Sequence, residues 1–323
     1  MIVKDRHIPL NLLKLEALLR RLPSNYPKIR DVQQQYARRK AGYLGEKSID
    51  YYLSSSDFQQ FFIFHDLRLT NGKYYFQIDT LILTPCFLLI LEIKNLSGTL
   101  HFDHLNQLIR VNNGKEEGFQ NPLSQVFRQR SQLNQWILDH RIPPLPIETL
   151  IVISNPSTII KSAPSNSYQY QKLCHGIDLE ERIHFFNNKF SRVILSNKEI
   201  KRLQKTLLKN HTPLVNNILS QFDIKKTEIL TGVGCPSCSY LPMIRIHGNW
   251  QCPHCHVKSK LAHEQAIDDY FLLMNETITS QQFRDFVHLH SKQQATRLLA
   301  SLVPSSSGTK KGRIYHSPHT PHK

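Results

Sequence analysis

Two apolar stretches of strand length, separated by a proline-containing turn, are the feature that most constrains how this sequence can fold. Residues 76–95 read FQIDTLILTPCFLLILEIKN. Short runs this rich in isoleucine and leucine are typical of strands buried in a sheet. Charged groups interrupt the runs at Asp79, Glu92 and Lys94, and burying an unpaired charge is costly. We therefore expect these three side chains to pair with one another, to bind a metal or to take part in catalysis.

The segments around these strands predict an α/β domain with a mixed sheet. Apolar residues at helical spacing predict helices over residues 10–22, 27–53, 122–140, 197–209 and 213–221. Further strands are expected over residues 61–69, 149–154 and 182–187. Asn71-Gly72 and Asn113-Gly114 are hairpin signals. This succession of helix, antiparallel strands, helix and strand favours a mixed sheet over a barrel or a parallel dinucleotide-binding fold.

The charge balance of the 323-residue chain indicates a polyanionic partner. Lysine and arginine number 41 against 25 aspartates and glutamates, which leaves a formal net charge of +16. This excess favours nucleic acid or an anionic membrane surface as partner. No apolar run approaches the roughly 18 residues of a membrane-spanning helix, and the N-terminus lacks the pattern of a signal peptide. We therefore expect a cytoplasmic protein that binds nucleic acid, with DNA favoured, and no membrane.

The charged residues of the strand pair have the composition that phosphodiester hydrolysis needs. Side chains alternate along a strand, so Glu92 and Lys94 point to the same face. If the two strands pair, Asp79 comes to the same end of the sheet, which completes the arrangement written PD-(D/E)xK. Two carboxylates, with the carbonyl of Ile93, can bind Mg²⁺ or Mn²⁺, while the lysine orients or stabilises a hydroxide. The alternative is a surface ion pair that contributes under about 1 kcal/mol.

Three longer segments resemble the nuclease-related domain (NERD) family over roughly residues 38–155. They are AGYLGEKSIDYYL, FQIDTLILTPCFLLILEIKNLSGTL and NPLSQVFRQRSQLNQWI, and TLIVIS follows them. The GE, QID and EIKN elements in this order carry the resemblance. Because the family is associated with the PD-(D/E)xK nucleases, the resemblance implies a restriction-endonuclease-like mixed sheet flanked by helices.

The resemblance also implies roles for individual residues. Glu46, Asp79, Glu92 and Lys94 match the presumed catalytic positions, with Asp79 and Glu92 as ligands of Mg²⁺ or Mn²⁺. Gln125 matches a polar position that could orient substrate or water, and a glutamine on the helix surface or at its cap is the alternative. One departure from the motif is that isoleucine, where the motif has proline, precedes Asp79.

The cysteines predict a separate metal site. Cys235 and Cys238 form one CxxC pair, Cys252 and Cys255 form another, and thirteen residues separate the pairs. Two such turns can close a tetrahedral thiolate shell around Zn²⁺. We therefore predict a structural zinc ribbon, with unliganded thiols or disulfides as the alternative.

The segment ITSQQFRDFVHLHSKQQATRLLASL, residues 278–302, has the pattern of a helix-turn-helix. Thr279 or Ser280 caps a predicted helix over residues 280–287, and Ser291 caps one over residues 292–302. The predicted DNA contacts face outward from the second helix and are Lys292, Gln293, Thr296 and Arg297. A small helical bundle without DNA contacts is the alternative.

Together these patterns predict five regions. They are an N-terminal helical extension (1–36), the nuclease-related domain (37–225), the zinc ribbon (230–260), a helical, helix-turn-helix-like unit (262–304) and a basic disordered tail (305–323). The function we expect is that of a metal-dependent DNA nuclease or DNA-processing protein. The alternative is a non-catalytic DNA-binding or regulatory protein built on a nuclease-like fold.

Overall fold

The structure, a computed structural model, describes residues 1–54, 61–102, 107–161 and 171–319. These residues belong to two compact units. Met1–His7 and Lys40–Leu214 form the first unit, and Ile8–Arg39 and Val215–Lys323 form the second. The segment Ile8–Arg39, which covers most of the predicted N-terminal extension, therefore belongs to the same unit as the cysteine-rich and C-terminal segments.

The helices flank the sheets in both units. They are α1 (Leu10–Arg21), α2 (Ile29–Asp50), α3 (Pro122–Asp139), α4 (Leu179–Lys189), α5 (Asn197–Asn210), α6 (Ile218–Gln221), α7 (Ala262–Leu273), α8 (Ser280–Val287) and α9 (Lys292–Leu302). No helix among the described segments is both long and apolar enough to cross a membrane.

Two sheets organise the first unit. Its strands are β1 (Ile2–Lys4), β2 (Phe62–Thr70), β3 (Tyr75–Leu83), β4 (Leu88–Lys94), β5 (Thr99–Phe102), β6 (Leu108–Asn112), β7 (Lys115–Phe119), β8 (Ile147–Ile153), β9 (Ile159–Lys161) and β10 (Leu173–His175). The main sheet has the order β1-β2-β3-β4-β8-β10, and the smaller sheet has the order β7-β6-β5-β9. In the main sheet β2, β3 and β4 are antiparallel, whereas β1 is parallel to β2, and β8 is parallel to both β4 and β10. The fold is thus the mixed α/β arrangement that the sequence predicts.

β4 is apolar on both faces because helices cover both faces of the main sheet. Leu88 and Ile90 pack into a core with residues of α3 and α5, whereas Leu89 and Leu91 pack into a second core with residues of α2 and α4. Since side chains alternate, Glu92 lies on the face that α3 covers. The predicted strand pair is therefore buried between two helical layers.

The helix α4 replaces a predicted strand. Residues 182–187 were expected to form a strand, but they lie within α4. Leu179, Ile183 and Phe186 recur at helical spacing, and their burial against the main sheet selects the helix. The predicted helix over residues 213–221 is also shorter, since Asn217 caps α6 by accepting a hydrogen bond from the Ser220 amide.

The second unit contains two small sheets. Its strands are β11 (Ile244–Arg245), β12 (Trp250–Gln251), β13 (Lys258–Ser259), β14 (Thr277–Thr279), β15 (Ser306–Ser307) and β16 (Ile314–His316). β11, β12 and β13 form one antiparallel sheet, here called the ribbon sheet. The other sheet has the order β14-β16-β15. The chain order α7, β14, α8, α9, β15, β16 is the connectivity of a winged helix-turn-helix.

The basic C-terminal segment is more ordered than its composition predicts. Residues 305–323 were expected to be disordered, but β15 and β16 lie within them, and residues 320–323 fall outside the described residues. β16 pairs with both β14 and β15, which places Ile278 opposite Tyr315. Both side chains are fully buried. Burial of this one aromatic residue and the strand pairing stabilise a segment that is otherwise polar.

Candidate active site and metal centre

The strands β3 and β4 separate where the charged residues lie. Their pairing ends with Thr80 opposite Leu91. Beyond that point the Asp79 carboxylate takes the place of a backbone partner, because its Oδ2 accepts a hydrogen bond of 2.9 Å from the Ile93 amide. The separation opens a polar gap inside an apolar sheet.

Glu92 is the centre of a hydrogen-bond network in this gap. Its side chain is buried, with the residue only 2% exposed. Lys94 Nζ donates to Glu92 Oε1 at 2.7 Å and to Gln125 Oε1 at 3.0 Å. Gln125 Nε2 donates to the same Glu92 oxygen at 2.7 Å. The structure therefore brings Asp79, Glu92, Lys94 and Gln125 together, with the lysine and the glutamine compensating the buried carboxylate.

Gln129 is part of this network and was not found from the sequence. The residue is 4% exposed, and its Nε2 donates to Glu92 Oε2 at 2.8 Å and to the Gln77 carbonyl at 2.9 Å. Its Oε1 is buried without a hydrogen-bond partner in the described part of the chain. The available signal was its position four residues after Gln125 on α3, which places both amides on the same helix face.

Glu46 faces a different partner from the other predicted catalytic residues. Arg6 Nη1 lies 2.5 Å from Glu46 Oε2, and the Arg6 guanidinium also donates to both oxygens of Asp50. Arg6 Nη2 lies 3.0 Å from both His65 Nδ1 and Thr80 Oγ1. The N-terminal segment thus connects α2 to β2 and β3 through a single buried arginine. No local pattern in the sequence indicates this contact, because it joins residues far apart in the chain.

Burial, and then the mutual repulsion of the carboxylates, raises the pKa values of Glu46 and Asp79. Burial raises the pKa of Glu46 to about 7, the positive charge of Arg6 opposes this rise, and the charges of Asp66, Glu92 and Asp50 add to it. Burial raises the pKa of Asp79 well above its ordinary value, and the charges of Glu92 and Glu46 raise it further. The Ile93 amide and Lys94 oppose that rise. Arg6, Lys94 and the Ile93 amide therefore do not fully offset the effects of burial and of neighbouring carboxylates on these two pKa values.

The packing around α2 explains why glycine stands at position 45, directly before Glu46. A Cβ at Gly45 would collide with the Asn95 side chain and would lie 2.7 Å from Ser154 Oγ. The Asn95 amide in turn donates to the Ala41 carbonyl at 2.7 Å. The close approach of α2 to the end of β4 therefore requires glycine at this position. This close approach places the turn of α2 that carries Glu46 beside the sheet.

The acidic residues have the chemistry of a magnesium site. Among the described residues, the bond to Ile93 is the one hydrogen bond of the Asp79 carboxylate, which leaves its Oδ1 open. Glu92 accepts three hydrogen bonds, and a carboxylate has about four acceptor positions. Glu46, Asp79 and Glu92 do not converge within 4.8 Å in the part of the chain described. Asp79 and Glu92 alone are compatible with the one or two carboxylates that Mg²⁺ takes from a protein, with waters completing its shell.

The four predicted zinc ligands converge in the second unit. Cys235 Sγ lies 3.5 Å from Cys255 Sγ, and Cys238 Sγ lies 3.6 Å from Cys252 Sγ. All four sulfur atoms lie within 4.8 Å of one another. A tetrahedral shell with Zn–S bonds of about 2.3 Å has sulfur–sulfur distances of about 3.8 Å. The cluster is therefore compatible with a structural zinc ion.

Both CxxC pairs close turns of the same shape. The Cys235 carbonyl accepts a hydrogen bond from the Ser239 amide at 3.0 Å, and the Cys252 carbonyl accepts one from the His256 amide at 3.0 Å. Ser239 and His256 have φ angles of 58° and 59°, in the left-handed region. These matched turns direct both thiol pairs toward one point.

The residues predicted to contact DNA lie on α9. Lys292, Gln293 and Arg297 are exposed. Thr296 is half-buried. Its hydroxyl donates to the Lys292 carbonyl and lies 3.2 Å from Ser280 Oγ on α8. Thr296 therefore connects the two helices, and the other three side chains are open to solvent.

A family model and a solved structure match parts of this chain. Residues 41–154 match the family model described as nuclease-related domain. A search of curated proteins found no match. Among solved structures, protein VC1899 from Vibrio cholerae is similar at 12% identity with a TM-score of 0.26. The match covers 52% of this chain and 37% of that one, so this chain spans little more than a third of that protein. The segment that matches the nuclease-related domain model, residues 41–154, contains the polar gap between β3 and β4.

Proposed function

We propose that the first unit hydrolyses phosphodiester bonds of nucleic acid in a reaction that requires Mg²⁺ or Mn²⁺. The observation that carries the proposal is the meeting of Asp79, Glu92 and Lys94 where β3 and β4 separate. An apolar sheet gains nothing in stability from three charged groups at this point. DNA as the substrate and a cytoplasmic location are parts of the same proposal.

The residues of the gap divide the chemistry among them. Asp79 and Glu92, with the carbonyl of Ile93, would hold the metal ion, which supplies positive charge to the phosphate and acidifies a bound water. Lys94 uses two of its three N–H groups on Glu92 and Gln125. Its third N–H is directed to the attacking water or to a phosphate oxygen. Gln125 and Gln129 orient Glu92, and Glu46 adds negative charge at the edge of the site.

We further propose that the second unit binds zinc and contacts DNA. Cys235, Cys238, Cys252 and Cys255 would hold the ion, and Lys292, Gln293 and Arg297 would contact the duplex from α9. The winged helix-turn-helix connectivity and the net charge of +16 support this role. Thr296 is a weaker candidate, because its hydroxyl already bonds within the unit.

The runner-up function is DNA binding without catalysis. The observation that favours it is the degree to which Glu92 is already satisfied, with Lys94, Gln125 and Gln129 all donating to it. The same closed network would also stabilise a site that has lost its catalytic activity. The open Asp79 Oδ1 and the clustering of carboxylates favour catalysis instead.

Cleavage assays separate the two functions. Purified protein is incubated with labelled linear, circular and single-stranded DNA and with RNA, in Mg²⁺ or Mn²⁺. Asp79→Asn and Glu92→Gln should each lower the cleavage rate at least about a hundredfold, because each removes charge that stabilises the transition state. Asp139→Asn is the control, because Asp139 is an exposed acid on α3 whose one hydrogen bond among the described residues is with Gln135, and it should cleave like the wild type. Equal cleavage by the wild type and both site variants would reject the proposal.

A further inference from the structure

The β2–β3 hairpin exposes two neighbouring tyrosines near its turn. Tyr74 is 59% exposed, and Tyr75 is 52% exposed. Residues 67–78 also contain Arg68 and Lys73 and no acidic residue. Exposed rings give up the stabilisation that burial of an aromatic side chain provides. This end of the hairpin therefore combines aromatic surface with positive charge, the composition that unpaired nucleic acid requires of a binding surface.

One face of the hairpin is open, and the other is buried. The buried face packs into the core with residues of α3 and α5 through Leu67, Leu69, Phe76 and Ile78. Arg68 pairs with Gln77, and Thr70 pairs with Tyr75. Because side chains alternate along a strand, these two pairs lie on the opposite face, where none of the four residues is buried. The core thus fixes the two strands, and the strands fix the exposed row.

Arg68 is held against the ring of Tyr75. The Arg68 guanidinium lies 3.8 Å from the centre of that ring. Its Nη1 donates to the Thr212 carbonyl at 3.0 Å, which is the one hydrogen bond of this guanidinium among the residues that the structure describes. The Thr212 amide also donates to the Arg68 carbonyl at 2.9 Å. Arg68 is only half-buried, so its remaining N–H groups can still donate to an anion.

The exposed row continues along β3 toward the polar gap. Tyr75 precedes Asp79 by four residues, which corresponds to about 14 Å along a strand. Gln77 lies between them, and its side chain donates to Asp66 Oδ1 at 2.7 Å. One strand of B-form DNA advances about 3.4 Å per nucleotide, so this distance spans about four stacked nucleotides. A strand with one phosphate beside Asp79 can therefore reach Tyr75 with a base.

We propose that Tyr75 and Arg68 bind an unpaired nucleotide of the nucleic-acid substrate, with the base stacked on Tyr75 and a neighbouring phosphate held by Arg68. Every base has a face that can stack on an aromatic ring, so the site tolerates any sequence. Bases inside a duplex already stack on each other, so the site selects single-stranded regions. The inference rests on the proposed function, because it specifies the form of nucleic acid that reaches the gap between β3 and β4.

Binding of a fluorescein-labelled single-stranded DNA of about 16 nucleotides to the full chain tests the inference. All proteins carry Lys292→Gln and Arg297→Gln, which remove two of the DNA contacts proposed for the second unit. Fluorescence anisotropy is measured without added Mg²⁺ or Mn²⁺ over a range of NaCl concentrations. Tyr75→Ala should raise Kd at least about fivefold and leave the slope of log Kd against log salt unchanged, because it removes a ring but no charge. Arg68→Gln should raise Kd and lower that slope by about 0.7, as expected for one lost phosphate contact on a single strand.

Tyr51→Ala is the matched control, because Tyr51 is a tyrosine of the same unit that is 78% exposed and lies outside the hairpin. It should change Kd by less than about twofold, whereas Tyr75→Phe, which keeps the ring, should also bind within about twofold of the parent. Thermal melting should be the same for all variants. A Tyr75→Ala variant that binds like its parent would overturn the inference, as would an equal loss in Tyr51→Ala.

A signal from position 75 itself separates this contact from binding elsewhere on the chain. Tyr75→Trp keeps an aromatic ring, and the single strand should quench its fluorescence, because a stacked base lies against the indole. Tyr51→Trp should not be quenched. Equal quenching in both variants, or none in Tyr75→Trp, would contradict stacking at Tyr75.

A blunt DNA duplex of the same length distinguishes stacking from a general attraction to charge. Tyr75→Ala should not change Kd for the duplex, and an equal loss for duplex and single strand would overturn the stacking site. Cleavage with Mg²⁺ is measured separately. A wild type that binds the single strand through Tyr75 and cleaves nothing would reject the proposed hydrolysis alone. A wild type that cleaves, with single-strand binding unchanged in Tyr75→Ala, would reject this inference alone.

Discussion

The side-chain amide of Gln129 lies 2.8 Å from Glu92 Oε2. The same nitrogen donates to the Gln77 carbonyl at 2.9 Å, so one helix residue connects β4 and β3 across the gap between them. The two strands separate at this point because the polar face of α3, rather than the neighbouring strand, supplies the hydrogen bonds of Glu92 and of the Gln77 carbonyl. Glu92 is held in place by α3 as well as by Lys94.

Replacement of Gln129 should impair catalysis more than folding. Gln129→Met keeps the length of the side chain and removes the donor to Glu92. We expect cleavage to fall about tenfold to a hundredfold, as for residues that orient a metal ligand. Gln135→Met is the control, since the exposed Gln135 on the same helix donates, within the described part of the chain, to Asp139 alone. Single-turnover cleavage rates of both variants, compared at equal thermal stability, check this prediction. Unchanged cleavage by Gln129→Met would contradict the orienting role.

Loss of Arg6 should destabilise the first unit. Its side chain is 3% exposed, and it compensates the carboxylates of Glu46 and Asp50. Arg6→Met removes the guanidinium that both acids share, and His65 Nδ1, 3.5 Å from Asp50 Oδ1, remains beside Asp50 alone. We expect the free energy of unfolding to fall by about 2–4 kcal/mol, a value already lowered to allow for the partial exposure of both acids. Arg110→Met removes a more exposed pair with Glu117 and should cost under about 1 kcal/mol. Urea unfolding measures both changes, and similar losses in the two variants would refute the buried role of Arg6.

Two glycines on α2 provide a matched pair for testing the close approach to β4. Gly45→Ala should destabilise the first unit and lower cleavage, because its new Cβ meets Asn95 and Ser154. Gly42→Ala meets nothing within 4 Å and should stabilise the helix by about 0.5–1 kcal/mol. Thermal melting and cleavage rates of both variants check the prediction. A stabilised, fully active Gly45→Ala would show that α2 packs differently.

Acid should weaken the first unit through His65. Burial lowers the pKa of His65 to about 3, and the charges of Arg6 and Lys4 lower it further, with Asp5 and Asp66 opposing them. The unfolded chain protonates this residue near pH 6.5 and the folded chain near 3. Between these values the unfolded state binds more protons, so the contribution of His65 to stability is present above about pH 6.5 and is lost as the pH falls towards 3.

The variant His65→Gln isolates this contribution. Glu46 acts in the opposite direction because its pKa is raised to about 7, so the pH profile of the wild type combines both effects. We therefore compare the wild type with His65→Gln, both in a Trp250→Phe background, so that Trp136 reports on the first unit. The variant should gain stability relative to the wild type as the pH falls from 6.5 to 4.5. A pH-independent difference between them would contradict the prediction.

Zinc should be present at about one ion per chain, since four thiolates close one tetrahedral shell. Cys252→Ser removes one ligand and should release the metal and unfold the ribbon sheet. Cys86→Ser changes a half-buried free thiol in the first unit, and this variant should retain the zinc ion. Elemental analysis of freshly purified, reduced protein measures both. A wild-type chain without zinc would reject the assignment.

Local patterns in the sequence determined much of this protein. Alternation placed Glu92 and Lys94 on one face of a buried strand, and the spacing of two CxxC pairs predicted the convergence of four cysteines. Turn and cap residues such as Asn71-Gly72 and Ser291 indicated where strands and helices begin and end. These features follow from interactions within a few residues, so a single sequence is enough to reveal them.

Tertiary structure alone decided the rest. The segment 182–187 could form a strand or a helix, and burial of Ile183 and Phe186 against the sheet selected the helix. Arg6 reaches Glu46 across 40 positions of the chain. No local pattern encodes such contacts, because they depend on how finished elements pack. The local sequence thus determined which elements form, whereas packing determined which of their charged groups meet.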